Sequence, residues 1–103
     1  MERFKDLSQL YKGCDIVKIG ECGKLEFSEF LVASPDDENY IFAFDYATKN
    51  ANKLYVPLMK LEEYYVGKCD LAFIRNKRIE ALESEIKRLQ INISMLKYEK
   101  GLL

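Results

Sequence analysis

A chain of 103 residues with 49% apolar and 32% charged side chains has the size and composition of one folded domain. That balance argues against disorder, and a net charge of −1 argues against the strong basic excess of a protein built for duplex nucleic acid. The charge is unevenly spread: residues 1–70 carry nine Lys/Arg against thirteen Asp/Glu, and residues 71–103 carry seven against four.

Residues 2–12 read as a short helix. Phe4, Leu7 and Tyr11 recur at helical spacing, Leu10 widens the stripe, and Gly13 stands where a C-terminal cap belongs. Residues 14–19 form a first strand, closed by a turn holding Gly20 and Gly23. Residues 25–33 form a second. Leu25 and Phe27 share one face while Phe30 and Val32 share the other, so a bulge at Glu29 is expected. Pro35 and the acidic run Asp36, Asp37, Glu38 mark a turn.

Residues 40–47 are the clearest strand. Tyr40, Phe42, Phe44 and Tyr46 face one way, and Ile41, Ala43 and Asp45 the other. The aromatic row reads as hydrophobic core, with a stacking platform for single-stranded nucleic acid as the alternative. A polar loop over residues 48–53 leads to a strand at 54–56, which Pro57 confines to an edge or ends. One helical turn at 58–63 and a last strand at 64–66, stopped by Gly67, complete the head.

Four to five short antiparallel strands suggest a small curled sheet or an SH3-like half-barrel. The fold expected is α+β: a short N-terminal helix, that sheet, and one long C-terminal helix. The division expected is a head over residues 1–69 and a helix over 70–103 that packs on it and mediates self-association.

Residues 70–101 contain no proline and only a terminal glycine. Asp70 is a good N-cap, and Cys69 with Ile74 can staple across it. Ile79, Ile86 and Ile93 repeat every seven residues, each followed three residues later by Leu82, Leu89 and Leu96. Isoleucine at a and leucine at d resembles the seam of leucine zippers, so self-association as a dimer or higher oligomer is expected. Folding of the same face back onto the chain's own sheet is the alternative. Arg78 and Glu83 would pair between parallel chains; Arg78 with Glu99 and Glu83 with Lys97 would serve antiparallel ones. Orientation therefore stays open.

Ile91, Met95, Tyr98 and Leu102 form a second apolar stripe roughly opposite the seam. It reads either as intrachain core or as a surface for another protein, with Arg75, Lys77 and Arg78 facing an acidic target. The same three cations precede the zipper as a basic region does in one class of DNA-binding proteins, but they are few and interrupted by Leu71, Phe73 and Ile74. Were nucleic acid bound, Arg75, Lys77, Arg78, Lys87 and Arg88 would be the contacts.

Three scattered cysteines, Cys14, Cys22 and Cys69, read as reduced thiols. With no histidine there is no Cys/His zinc site, no metal or cofactor is expected, and no histidine base exists for catalysis. Asp45, Glu62 and Glu63 are carboxylates without a catalytic pattern around them. No stretch approaches the ~20 apolar residues of a membrane span, and nothing at the N-terminus resembles a signal peptide. The expectation is a cytoplasmic, non-catalytic regulator or inhibitor that self-associates and binds a partner protein. The alternatives are a small-barrel nucleic-acid binder and a phage or mobile-element protein that blocks a host enzyme.

Overall fold

The computed structural model describes residues 1–102. It is α+β: six antiparallel strands in one open sheet, followed by one long helix. The strands are β1 (Glu2–Arg3), β2 (Asp15–Ile19), β3 (Leu25–Ala33), β4 (Tyr40–Asp45), β5 (Asn50–Tyr55) and β6 (Tyr64–Gly67), and the helix is α1 (Leu71–Leu102). Their order across the sheet is β1-β6-β2-β3-β4-β5. The edges β1 and β5 do not meet, so the half-barrel expected from strand count is an open sheet instead.

The N-terminal helix is replaced by β1 and a single 3-10 turn at Leu7–Gln9. The physical reason is competition for the backbone. Glu2 and Arg3 pair with Val66 and Tyr65, and the Phe4 amide donates to the Tyr64 carbonyl at 2.9 Å. Asp6 and Gln9 then close a capping box around one turn, which Leu10 ends in extended conformation. Phe4 is fully buried rather than lying on a helix stripe.

One face of the sheet carries Ile16, Phe30, Ile41, Ala43 and Val66, with Phe4 and Cys14 packed among them. Leu7 and Leu10 from the N-terminal segment and Val56, Met59 and Leu61 from the 56–63 connection cover that face. The other face carries Val17 and Ile19, against which Ile74 of α1 is 4% exposed. Burying an isoleucine this way stabilises by about 1.5–3 kcal/mol.

The β3 bulge falls at Leu31, between Phe30 and Val32, two residues beyond the expected position. It moves Val32 to the face of Phe27 while Phe30 stays in the core. β5 begins at Asn50, so residues 50–53 of the stretch read as a loop join the strand expected from Leu54 and pair with β4, Asn50 opposite Asp45 and Tyr55 opposite Tyr40, while Thr48 and Lys49 stay in the turn. Edge position explains the polarity: a strand with one solvated side need not be apolar.

Helix α1 starts as its sequence indicates. The Phe73 amide donates to Asp70 Oδ1 at 3.1 Å, and Cys69 joins the cluster around Ile74. It then runs past the β2–β3 turn, Glu21–Gly23, where Arg78 Nε donates to the Gly23 carbonyl at 2.9 Å. Gly23 has φ of 72°, and a Cβ there would lie 3.2 Å from the Arg78 carbonyl oxygen and 3.4 Å from Leu82 Cγ. Both the turn and the close passage of the helix therefore require glycine. Gly23→Ala is expected to lower stability by about 1–3 kcal/mol in urea unfolding. Gly20→Ala, at φ −84° with its nearest neighbour 3.8 Å from the new Cβ, is expected to change it by less than about 1 kcal/mol.

Candidate functional site: an overhanging helix beside an open aromatic face

Thirty-two residues of helix are about 48 Å long, whereas the whole molecule measures 61 × 29 × 25 Å. The helix thus outruns the sheet it rests on. Ala81 still touches the cluster around Val17, but every residue from Ile86 to Gly101 is exposed. The radius of gyration is 17.7 Å, against about 13 Å for a compact chain of this length. Accessible surface is 7551 Å², against about 6,000 Å² for a compact monomer of 12.1 kDa.

The seam residues Ile79, Leu82, Ile86, Leu89, Ile93 and Leu96 lie between 44% and 64% exposed. They are not folded back onto the sheet. At about 100° per residue, the seam points about 110° away from the side of α1 that carries Ile74 and Ala81, hence along the sheet plane and not into it. Ile79 and Leu82 form one wall of a groove whose other wall is Leu25 and Phe27 of β3.

Ile91, Met95 and Tyr98 are more than half exposed. At the same rotation they lie about 80° from the side of Ile74 and Ala81, on the flank away from the seam and beyond the reach of the head, so the second stripe stands in solvent without the sheet beneath it. The side chain of Leu102 lies outside the described residues. Of the cations grouped with this stripe, Arg78 is tied to Gly23, and Lys77 pairs with Glu80 at 3.2 Å while lying over the Tyr65 and Phe73 rings. Arg75 is exposed on the rim of the groove. Lys87 and Arg88 stand on the overhang, Arg88 with its Nε donating to Glu85 at 3.1 Å.

The aromatic row of β4 is the principal correction to the sequence reading. Ile41 and Ala43 are the buried pair, at 0% and 1% exposure, and Tyr40, Phe42, Phe44 and Tyr46 occupy the opposite face. That face is only half covered. Helix α1 shields its β6–β2 side, while Val32, Tyr46 and Tyr55 are open on the β3–β4–β5 side. Phe27 and Phe44 meet Tyr46 edge-on at 6.2 and 5.7 Å, Tyr40 packs on Tyr55 at 4.8 Å, and Lys53 Nζ lies 4.4 Å from the Tyr40 ring. The Tyr46 hydroxyl donates to Glu29 at 3.2 Å, and burial with that carboxylate pushes the phenol up from its ordinary value.

No family model matches the chain, and no curated protein or solved structure is significantly similar to it.

Among the described residues, no three His, Cys, Asp or Glu side chains cluster as metal ligands, and no helix is long and apolar enough to cross a membrane. Cys14 is buried in the core, where desolvation and the nearby Asp15 and Glu29 carboxylates push its thiol up; Cys22 is exposed at the β2–β3 turn. Asp45 accepts from the Ala47 and Thr48 amides and so serves its turn, and Glu63 faces Lys18 at 3.8 Å. In a thiol-labelling experiment at neutral pH, Cys22 is expected to react promptly and Cys14 only after denaturant is added. Prompt labelling of Cys14 would show that the β2 side of the core is open.

Proposed function

We propose that this is a non-catalytic, cytoplasmic protein that self-associates through the α1 seam and binds another protein as a regulator or inhibitor. The observation that carries the proposal is the run of half-exposed seam residues on a helix that outruns its own sheet. About 1,500 Å² of surface beyond that of a compact monomer exceeds the roughly 800 Å² each partner contributes to a standard interface. A free overhang of sixteen residues is also at the limit of helical stability in water, so it gains from a second surface. In this reading Ile91, Met95 and Tyr98, on the side away from the seam, face the foreign partner; Arg75, about 24 Å down the helix at the groove rim, stands on the seam side and is a separate point for an acidic group.

Light scattering after size exclusion is expected to give the mass of a dimer at micromolar concentration. Ile86→Lys, which places a charge in the middle of the seam, is expected to give a monomer. Its far-UV spectrum should retain the sheet, because Ile86 is exposed in the single chain. An unpaired lysine in a packed interface costs about 2–5 kcal/mol, enough to shift dissociation by at least tenfold. Ile91→Lys is expected to leave the dimer intact and to abolish capture of the foreign partner. A monomeric mass for the unaltered chain at high micromolar concentration would overturn the self-association half of the proposal.

The open aromatic face with Lys53 favours one second reading, a stacking surface for single-stranded nucleic acid. The acidic balance of residues 1–70 opposes it. Fluorescence anisotropy with a labelled single strand at physiological salt is expected to show no submicromolar binding. Submicromolar binding that weakens steeply with added salt and is lost in Phe42→Ala would establish the second reading instead.

A further inference from the structure

The groove beside the seam has one wall from α1 and one from the sheet. Its sheet wall, Leu25 and Phe27, is extended by Tyr46 toward the open aromatic half of the face. A helix packed on the seam, about 8–10 Å from α1, therefore lies over this sheet as a second helix beside the first. The question is which helix fits.

We propose that the occupant is the overhanging half of α1 from a second copy, running antiparallel, so that each copy's helix end fills the other's groove. This rests on the self-association proposed above. Three features select it. The first is register. The apolar seam is bounded by Arg75 below Ile79 and by Lys100 above Leu96, each at a position where the heptad would place a core residue. Setting Ile79 level with Leu96 of the partner subunit, and Ile86 level with the partner's Leu89, pairs every isoleucine with a leucine. This register sets Arg75 level with the partner's Lys100, so two cations close each end of the seam, and they are accommodated only because their stems cover apolar surface while their heads diverge into water; a shift of one heptad either way drives Arg75 or Lys100 into the apolar layers themselves.

The second feature is what lies over the sheet. In this register the partner's last turns, from Ile93 and Leu96 onward, run along the groove past Leu25, Phe27 and Tyr46. Parallel pairing would instead set the partner's own first turns there, with Asn76, Glu80 and Glu83 on the sides left free by its head. A polar surface would then face the aromatics, and the overhangs would be remote from both heads.

The third feature is charge. Residues 86–101 carry Lys87, Arg88, Lys97 and Lys100 against Glu99, while residues 1–70 carry four more acidic than basic groups. Antiparallel pairing brings each basic helix end beside an acidic head and sets the partner's Glu99 close to Arg78. Arg78 has its Nε held by Gly23, and its terminal nitrogens remain for that contact.

Spin labels separate the outcomes. Lys100→Cys, labelled in a Cys22→Ser and Cys69→Ala background, lies beyond the seam and leaves its apolar layers intact. Light scattering on the labelled protein comes first: a monomer would overturn the self-association reading together with this inference. For a dimer, pulsed electron paramagnetic resonance is expected to give a label separation of about 40 Å, the span between the two ends of an antiparallel pair. A separation below about 20 Å would mean parallel helices, overturning this inference while leaving self-association standing. Tyr46→Lys, on the open sheet and 43% exposed in the single chain, is expected to weaken the dimer at least tenfold with an unchanged far-UV spectrum. Tyr46→Ser is the milder companion, expected to weaken it in the same direction. A long label distance with neither variant altering dimer affinity would show that the partner's helix does not reach the sheet.

Discussion

A helix longer than its support sets the terms for everything else in this molecule. The face of β2 and β6 holds only the first third of α1, through Ile74 and the passage of Arg78 and Leu82 over Gly23. The remaining turns have apolar residues at seam and stripe positions and no sheet beneath them. Hydrophobic burial is roughly proportional to area removed from water, so the exposed apolar seam and stripe of this helix are the largest unsatisfied demand in the structure. The open aromatic side of the sheet is the second largest, and it lies next to the first.

The two demands share an origin. An open sheet with one helix on one half of a face leaves the other half uncovered, and a second helix alongside is the usual remedy. Among the described residues there is no second helix for this face, since the 56–63 connection and the N-terminal segment are both committed to the opposite one. A helix from elsewhere is what the geometry lacks. A second copy is a natural source because its overhang carries the apolar pattern and the charge that this face can accept.

Much of this was legible in the sequence, for reasons that can be stated residue by residue. The heptad of Ile79 through Leu96, the Asp70 cap and the limits of β3 follow from periodicity and local hydrogen-bonding chemistry that act within a few residues. The head was read less well where tertiary competition decides. Residues 2–12 have helical spacing, yet pairing of Glu2 and Arg3 with β6 claims the backbone first. In β4 both faces are apolar, so alternation locates the faces without saying which is core. Bulk points to the aromatics, but Ile41 and Ala43 are the buried pair because the N-terminal segment and the 56–63 connection both cross that side, while α1 covers only part of the other. The polar composition of Asn50 to Lys53 concealed the first part of β5, which its edge position permits. Nothing in the sequence alone could have placed Gly23 against Arg78, fifty-five residues away.

The deciding property is whether the turns of α1 beyond the head are buried in solution. Amide hydrogen exchange over residues 86–101, followed across a dilution series, measures this directly. Burial of the seam between two copies predicts slow exchange at high concentration, approaching that of β2 and β3, and faster exchange on dilution while the sheet stays protected. Fast exchange throughout 86–101 at every concentration, with a protected sheet, would mean that the overhang is free in solution and that the seam does not join two copies.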